Sequence, residues 1–371
     1  MKSKRVLITV GICFLFLLMG CGKKNDIQKN AIIPLETAAS ATIQTPVPTV
    51  EPEQPDIEQP VLDPDMEGKA QSTLTGLWVD KELVAKRPYA IMINNIKAAN
   101  PQSGISQASI LYEAVVEGGI TRLMGIFEDF DSKRIGSVRS ARHYFCSFAD
   151  EYDAIFVHYG QTKYAISKME ELGTDNLSGL EGVGTTVFYR DNSIQAPHNA
   201  FASYEGILKG TKEKKYRTER SENTNPFTFN ESDIQIDGKD AKKVSLGYSN
   251  YTTPYFTYDE QEKVYKRFQF GGPHIDKSTG EQLTFKNIII QLVKEWDIDK
   301  NGYQTMDIEQ ASGSGYYLTN GKVTEITWTK NEDKKERVYY DKDGNELKLN
   351  VGKTFISVFP RDRSNKISFS Q

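Results

Sequence analysis

Between Lys133 and His143 the chain carries Lys133, Arg134, Arg139, Arg142 and His143 without one carboxylate. This basic run is set in a sequence whose 46 lysines and arginines are outnumbered by 50 aspartates and glutamates. Guanidinium groups offer fixed, planar donor forks that match phosphate or carboxylate oxygens. Ser140 is read as the cap of the following helix, which places Arg142 in the first turn and Arg139 just before it. The helix dipole disfavours cations there, so an anion should compensate them. Backbone donors at a helix start, a serine hydroxyl and two guanidiniums then make an anion site. The competing reading pairs these arginines with the nearby Glu128, Asp129 and Asp131, because ion-pair networks imitate functional sites.

Three of the four histidines, His143, His158 and His198, fall beside expected element ends. His158-Tyr159 follows a buried strand and His198-Asn199 precedes an expected helix, and binding groups gather at such places. The ligand-binding candidates are therefore Arg139, Ser140, Arg142, His143, His158, Tyr159, His198 and Asn199. No H-E-x-x-H spacing supports a metal, and no metal or cofactor is expected. Glu113, Glu117 and Arg122 are secondary candidates. A two-residue Gly118-Gly119 turn would pair Val115 with Arg122 and set Arg122 on the face of Glu113 and Glu117, a self-neutralising cross-strand group. Cys146 reads as core. Nucleophile elbow, P-loop and metalloprotease patterns are missing, so catalytic residues stay unassigned and binding is favoured over catalysis.

These residues need a framework and an address. Lys2, Lys4 and Arg5 precede the apolar run Val6 to Met19, which is short for a bilayer span and ends at Leu18-Met19-Gly20-Cys21. Residues 1–20 read as a lipoprotein signal peptide and Cys21 as the lipidated residue, which puts the mature chain on the extracytoplasmic face of the cell membrane. Removing the signal leaves 43 basic against 50 acidic residues, a balance that argues against nucleic acid as a partner. Seven of the fourteen prolines lie between Pro34 and Pro64, so residues 21–73 read as the lipid anchor and a disordered, Pro-rich spacer.

From Leu74 onward the expected class is α+β: a mixed α/β module over 74–220 followed by a mainly β module over 221–371. Strands are expected at Tyr89 to Ile93, around Ile110 to Val116, at Thr121 to Phe127 and at Ala154 to Val157. Phe145, Phe148, Ala149 and Tyr152 fall at i, i+3, i+4 and i+7 of a helix, as do Ala165, Met169 and Leu172 of a second. Asn199 to Leu208 is expected to be a third helix, and Lys209 to Glu222 a connection between the modules. The glycines 179, 182 and 184 read as a loop before a strand at Thr185 to Tyr189. Asn320-Gly321 and Asp343-Gly344 mark hairpins, and Asp297 to Gly302 reads as a hairpin turn rather than a calcium loop.

Arg87-Pro88-Tyr89-Ala90-Ile91-Met92-Ile93-Asn94-Asn95, Pro101-Gln102-Ser103-Gly104, Tyr112-Glu113, Glu117-Gly118-Gly119-Ile120-Thr121-Arg122, Ile135 to Arg142 and Pro197-His198-Asn199 together resemble the YerB-like lipoproteins. The likeness spans residues 74–371 and includes Gly313-Ser314-Gly315, Asn320-Gly321-Lys322 and Trp328-Thr329-Lys330. It implies a two-part architecture and a lipid anchor, and no reaction. Ser137-Val138-Arg139-Ser140 is also similar to the arginine-bearing stretch of LytR-CpsA-Psr phosphotransferases, but that family's proline and aspartate are absent and its activity is not carried over.

The expected function is a lipid-anchored envelope binding or accessory protein that recognises an anionic glycan, lipid phosphate or peptide, with a protein partner on the second module. The first alternative is a transferase or hydrolase of phosphorylated wall precursors, with Glu113 or Glu117 as base. The second is a scaffold for a membrane complex.

Overall fold

A computed structural model describes residues 67–221, 224, 227–331 and 336–371. The residues read above as signal peptide, Cys21 and most of the residues read as spacer lie outside the described residues. The most apolar segments form strands in which every residue is buried: β1 (Tyr89–Asn95), β2 (Ile110–Val115), β3 (Thr121–Phe127), β4 (Ile155–His158), β6 (Asn287–Val293) and β9 (Thr354–Pro360). A strand alternates its side chains between two faces. In β1, Ala90 and Met92 enter one core and Ile91 and Ile93 the other. Near-continuous hydrophobic runs of this kind mark a sheet covered on both sides.

With β5 (Asn176–Ser178), β7 (Ala311–Thr319) and β8 (Lys322–Lys330), these strands belong to one eleven-stranded mixed sheet in the order β8-β7-β6-β9-β2-β3-β1-β4-β5. Lys239–Asp240 and Val338–Tyr340 add to the outer edge of β8. The parallel pair β2–β9, from Ile110↔Thr354 to Ala114↔Val358, joins a strand of the first half to one of the second. The composition does change near residue 220, yet the backbone ladder runs across both halves.

Helices α1 (His143–Asp150) and α2 (Lys163–Leu172) cover one face, where Phe145, Phe148, Ala149 and Tyr152 are buried together as their spacing predicts. The other face is covered by α3 (Tyr204–Glu213) and by a six-stranded sheet that includes Lys243–Leu246, Tyr255–Asp259, Val264–Gln269 and Ile367–Ser370.

Several local expectations change. The Ser203 hydroxyl accepts the Gly206 N–H at 3.1 Å, so α3 starts at Tyr204 and runs through Glu213. Residues Ala200–Ala202 are a strand paired with Phe188–Arg190 and with Ile135–Gly136. His198 and Asn199 therefore precede a strand, and Lys209 to Glu213 is helix rather than connection. The glycine-rich run leads into a short helix, Gly184–Val187, before Phe188–Arg190. Asn320-Gly321 joins β7 to β8, and Asp297 to Gly302 spans the turn between Glu295–Asp297 and Gln304–Met306. Asp343-Gly344 also closes a short hairpin, in which Tyr340 bridges Glu346 and the Leu347 N–H donates to the Tyr339 carbonyl at 2.9 Å, before Lys348–Leu349 pairs in parallel with Thr228–Phe229.

Candidate functional site

The segment Val138 to Ala141 is strapped across the carboxyl ends of the parallel strands β1 and β4. Its N–H groups at Val138, Arg139 and Ala141 donate to the carbonyls of Ala200, Met92 and Gly160 at 2.8, 3.1 and 2.8 Å. The Tyr159 N–H donates to the Arg139 carbonyl at 3.0 Å. Crevices outside strand carboxyl ends are where α/β sheets commonly bind ligands. Here the strap presents the guanidinium of Arg139 beside those of Arg122 from β3 and Arg142 from the start of α1.

Arg142 is the N-cap residue of α1 and makes no side-chain cap. The Ser140 hydroxyl donates to the Tyr159 carbonyl at 3.2 Å, so it does not serve the helix. Arg142 is neutralised from within: its Nε and Nη2 donate to the two oxygens of Glu117 at 2.6 and 2.5 Å. Burial alone would raise the Glu117 carboxyl, but the Arg142 fork and the charge of Arg122 outweigh it and hold the group below its usual range. The acid pairing with Arg142 is thus not Glu128, Asp129 or Asp131.

Arg122 and Arg139 have no such relief. Arg122 is 5 % exposed, and its guanidinium donates to the Ser140 carbonyl. Burial, then repulsion from Arg142 and Arg139, pulls it down to about 9, with Glu117 opposing only in part. Arg139 donates Nη1 to the Pro197 carbonyl at 3.2 Å, and its buried Nε has no hydrogen-bond partner among the described residues. Burial and then Arg142 lower its pKa. Neither makes an ion pair among the described residues, so three guanidiniums share one carboxylate. Such an excess attracts an anion.

His198 and Asn199 border this group. Nδ1 of His198 meets the Asn94 side-chain amide at 2.9 Å, and burial, then Arg139, disfavours its protonation. Asn199 accepts from Arg190 at 2.7 Å, and that exposed guanidinium lies 4.8 Å over the Tyr159 ring. Asn94 and Arg190 were missed in the sequence. Arg190 had a signal in the Tyr189-Arg190 end of a strand-like run, whereas Asn94 had only its place at the end of β1.

The remaining candidates are elsewhere. His158 is fully buried, with Nδ1 at 3.0 Å from the Gly160 carbonyl and Nε2 at 3.2 Å from Oδ1 of Asn176. It shapes the loop beneath the strap and is shielded from any guest. His143 turns toward the second half, where Nε2 meets the Thr305 hydroxyl at 2.7 Å. Burial, followed by the charge of Lys168, pushes its pKa down to about 4. No three-histidine site forms among the described residues, and none of their His, Cys, Asp and Glu side chains group as metal ligands.

Glu113 is separated from the arginine group by the true hairpin register. Val116 bonds Ile120, and Glu117, Gly118 and Gly119 form a three-residue turn with φ of 71° and 69° at the glycines. Arg122 therefore lies opposite Ala114, and Val115 opposite Thr121. A one-residue slip changes the face, so Glu113 points to the opposite side of the sheet from Arg122. Fully buried there, it accepts from Asn95 at 2.9 Å, Thr121 at 2.6 Å and Arg267 of the second half at 2.8 Å. Arg267 also contacts His274, whose Nε2 lies 2.6 Å from Oε1 of Gln102. This network of Asn95, Gln102 and Glu113 with Arg267 and His274 ties the halves together and leaves no base in the arginine group except Glu117, which is already committed to Arg142.

Two family models match the chain: "Protein of unknown function (DUF3048) N-terminal domain" over residues 74–217 and "Protein of unknown function (DUF3048) C-terminal domain" over 244–356. The chain is 34% identical over 299 residues to "Putative lipoprotein YerB" of Bacillus subtilis (strain 168), covering 80% of this chain and 88% of that protein. It also superposes on the crystal structure of the YerB protein from Bacillus subtilis with a TM-score of 0.73 and 32% identity, over 82% of this chain and all of that one.

Proposed function

The chain belongs to the YerB-like DUF3048 family of lipoproteins, and from that premise we propose that it is a lipid-anchored, extracytoplasmic binding protein whose strap seats an anionic group. The supporting observation is the shortage of negative charge: Arg122, Arg139 and Arg142 face the single carboxylate of Glu117, and the Nε of Arg139 is buried without an acceptor. A phosphate or carboxylate oxygen beside Arg139 would accept from its guanidinium and offset the repulsion that, after burial, lowers Arg122. Asn94, His198 and Asn199 supply neutral polar neighbours. With Glu117 tied to Arg142 and Glu113 across the sheet, the arrangement favours holding a ligand over acid–base chemistry.

The membrane address rests on the signal-like residues 1–20 and Cys21. Cosedimentation with vesicles containing undecaprenyl phosphate, compared with neutral vesicles, tests the ligand class, provided the acyl anchor is removed by Cys21→Ser. Phosphate-dependent binding that drops at least about tenfold in Arg139→Ala supports the reading, since a lost charge-assisted contact costs roughly 1.5–3 kcal/mol. Equal, negligible binding by both proteins rejects it.

A further inference from the structure

Six strands of the large sheet, β1, β2, β4, β5, β6 and β9, run in the same direction, so their carboxyl ends share one edge of the molecule. With about 4.8 Å between neighbouring strands, that edge extends roughly 30 Å from β6 to β5. The arginine strap occupies only the part at β1 and β4, and large apolar side chains stand exposed on both sides of it. Leu180 follows β5 and lies against Gly160 beside the strap; at 65 % it is the most exposed large hydrophobic residue of those described. Trp296 follows β6 and is 45 % exposed, with the Lys294 ammonium 5.5 Å over its ring. Between them, the exposed Tyr251 is pinned to the same edge. Its phenol accepts the Lys97 N–H, just past β1, at 3.3 Å, and the nearby Ser249 hydroxyl donates to the Gly119 carbonyl past β2.

Charge along this edge is one-sided. Most of its acids are already paired: Glu117 with Arg142, Glu181 with Lys214, Glu295 with Arg363 and Asp299 with Lys163. Lys97, Arg139, Arg190, Lys294 and Arg361 make no ion pair among the described residues, nor does Arg122 beneath the strap. The unpaired acids there are Asp297, Asp307 and Asp362, so cations prevail on this edge although acids prevail in the chain as a whole. The opposite edge differs. It also exposes a tryptophan, Trp78, at 52 %, but the cleft lined by the adjoining Leu77 and Val79 carries Glu128, Asp129 and Glu281 against Lys353.

Tryptophan and tyrosine favour the boundary between water and lipid, and basic groups beside them are drawn to anionic headgroups. Apolar side chains at both ends of a 30 Å edge, with cations between, fit an extended surface better than a small molecule. We propose that the carboxyl edge docks on a bilayer bearing anionic headgroups, with Trp296, Tyr251 and Leu180 entering the interface and the unpaired cations meeting lipid phosphates. The strap then faces the membrane. The described part begins at Glu67, beside Trp78 at the far edge, and the 45 residues between it and Cys21 can span up to roughly 150 Å, ample for a tether to pass the molecule's side. Docking uses the whole edge and does not require a guest at Arg139.

The two exposed tryptophans report which edge meets lipid, since the third, Trp328, is buried. The test uses the chain without residues 1–20 and with Cys21→Ser, so that no acyl group carries it to the membrane. Vesicles of brominated phosphatidylglycerol should bind the protein and quench Trp296 in a Trp78→Phe background, and should leave Trp78 unquenched in a Trp296→Phe background. Phosphatidylcholine vesicles should bind far less. Lys294→Gln and Arg361→Gln, both at exposed positions, should each weaken binding to phosphatidylglycerol about fivefold. No binding to anionic vesicles, quenching of Trp78 in place of Trp296, or binding that leaves both tryptophans unquenched overturns the proposal. A soluble phosphomonoester that binds the strap in a protein that ignores vesicles would overturn this inference alone. Vesicle docking by Trp296 in a protein that ignores the phosphomonoester would uphold it and count against the strap.

Discussion

At the scale of single residues, neighbours decide which charged side chains are free to act. Arg142 and Arg139 look equivalent in the sequence, yet Glu117 engages the first with two hydrogen bonds and no acid among the described residues engages the second. That difference could not be read from spacing, because Glu117 reaches Arg142 only through the fold. His143 shows the converse, a functional candidate that has a structural role. Its neutral form is favoured in the fold, with the pKa down at about 4 against about 6.5 for a free histidine. Protonation therefore favours the unfolded chain, and this residue's share of stability is intact above pH 6.5 and declines as the pH falls toward 4. A melting series over that range should show the decline. His143→Gln, which can still reach Thr305, should flatten it, and an unchanged slope in the variant would assign the acid sensitivity to other groups.

At the scale of elements, periodicity was informative and turn length was not. The central strands and the stripes of α1 and α2 follow directly from apolar spacing, because a two-faced sheet needs continuous hydrophobic runs. The Gly118-Gly119 hairpin was legible as a hairpin, but counting two turn residues instead of three moved Glu113 to the wrong face. Its true face makes it part of the buried Glu113–Arg267 pair between the halves. Cutting a buried pair strands the remaining charge, at a cost of about 3–5 kcal/mol. Arg267→Met should lower the free energy of denaturant unfolding by that amount. A loss under about 1 kcal/mol would mean that the network does not hold the halves together.

For the whole molecule, composition suggested two modules, and the family models also divide the chain in two. Backbone pairing nevertheless makes one sheet, with β9 from the C-terminal part lying between β6 and β2. Such a seam was hidden in the sequence because the partners, Ile110 to Ala114 and Thr354 to Val358, are more than two hundred residues apart. Removing residues 223–371 would expose the edge of β2 and strand Glu113 without Arg267. The truncated chain is expected to aggregate or remain unfolded, and the intact protein to unfold in one calorimetric transition. Two separated transitions, with a soluble and folded N-terminal fragment, would show independent modules.

The central claim concerns one unmet donor, and arginine side-chain NMR reports on it most directly. On titration of the Cys21→Ser protein with a soluble phosphomonoester, the Nε–H resonance of Arg139 should shift in a saturable manner and that of Arg122 should follow. The Arg142 resonance, held by Glu117, should stay nearly fixed. If the Arg139 signal does not move, or if all three arginines drift together without saturation, the strap does not seat an anion.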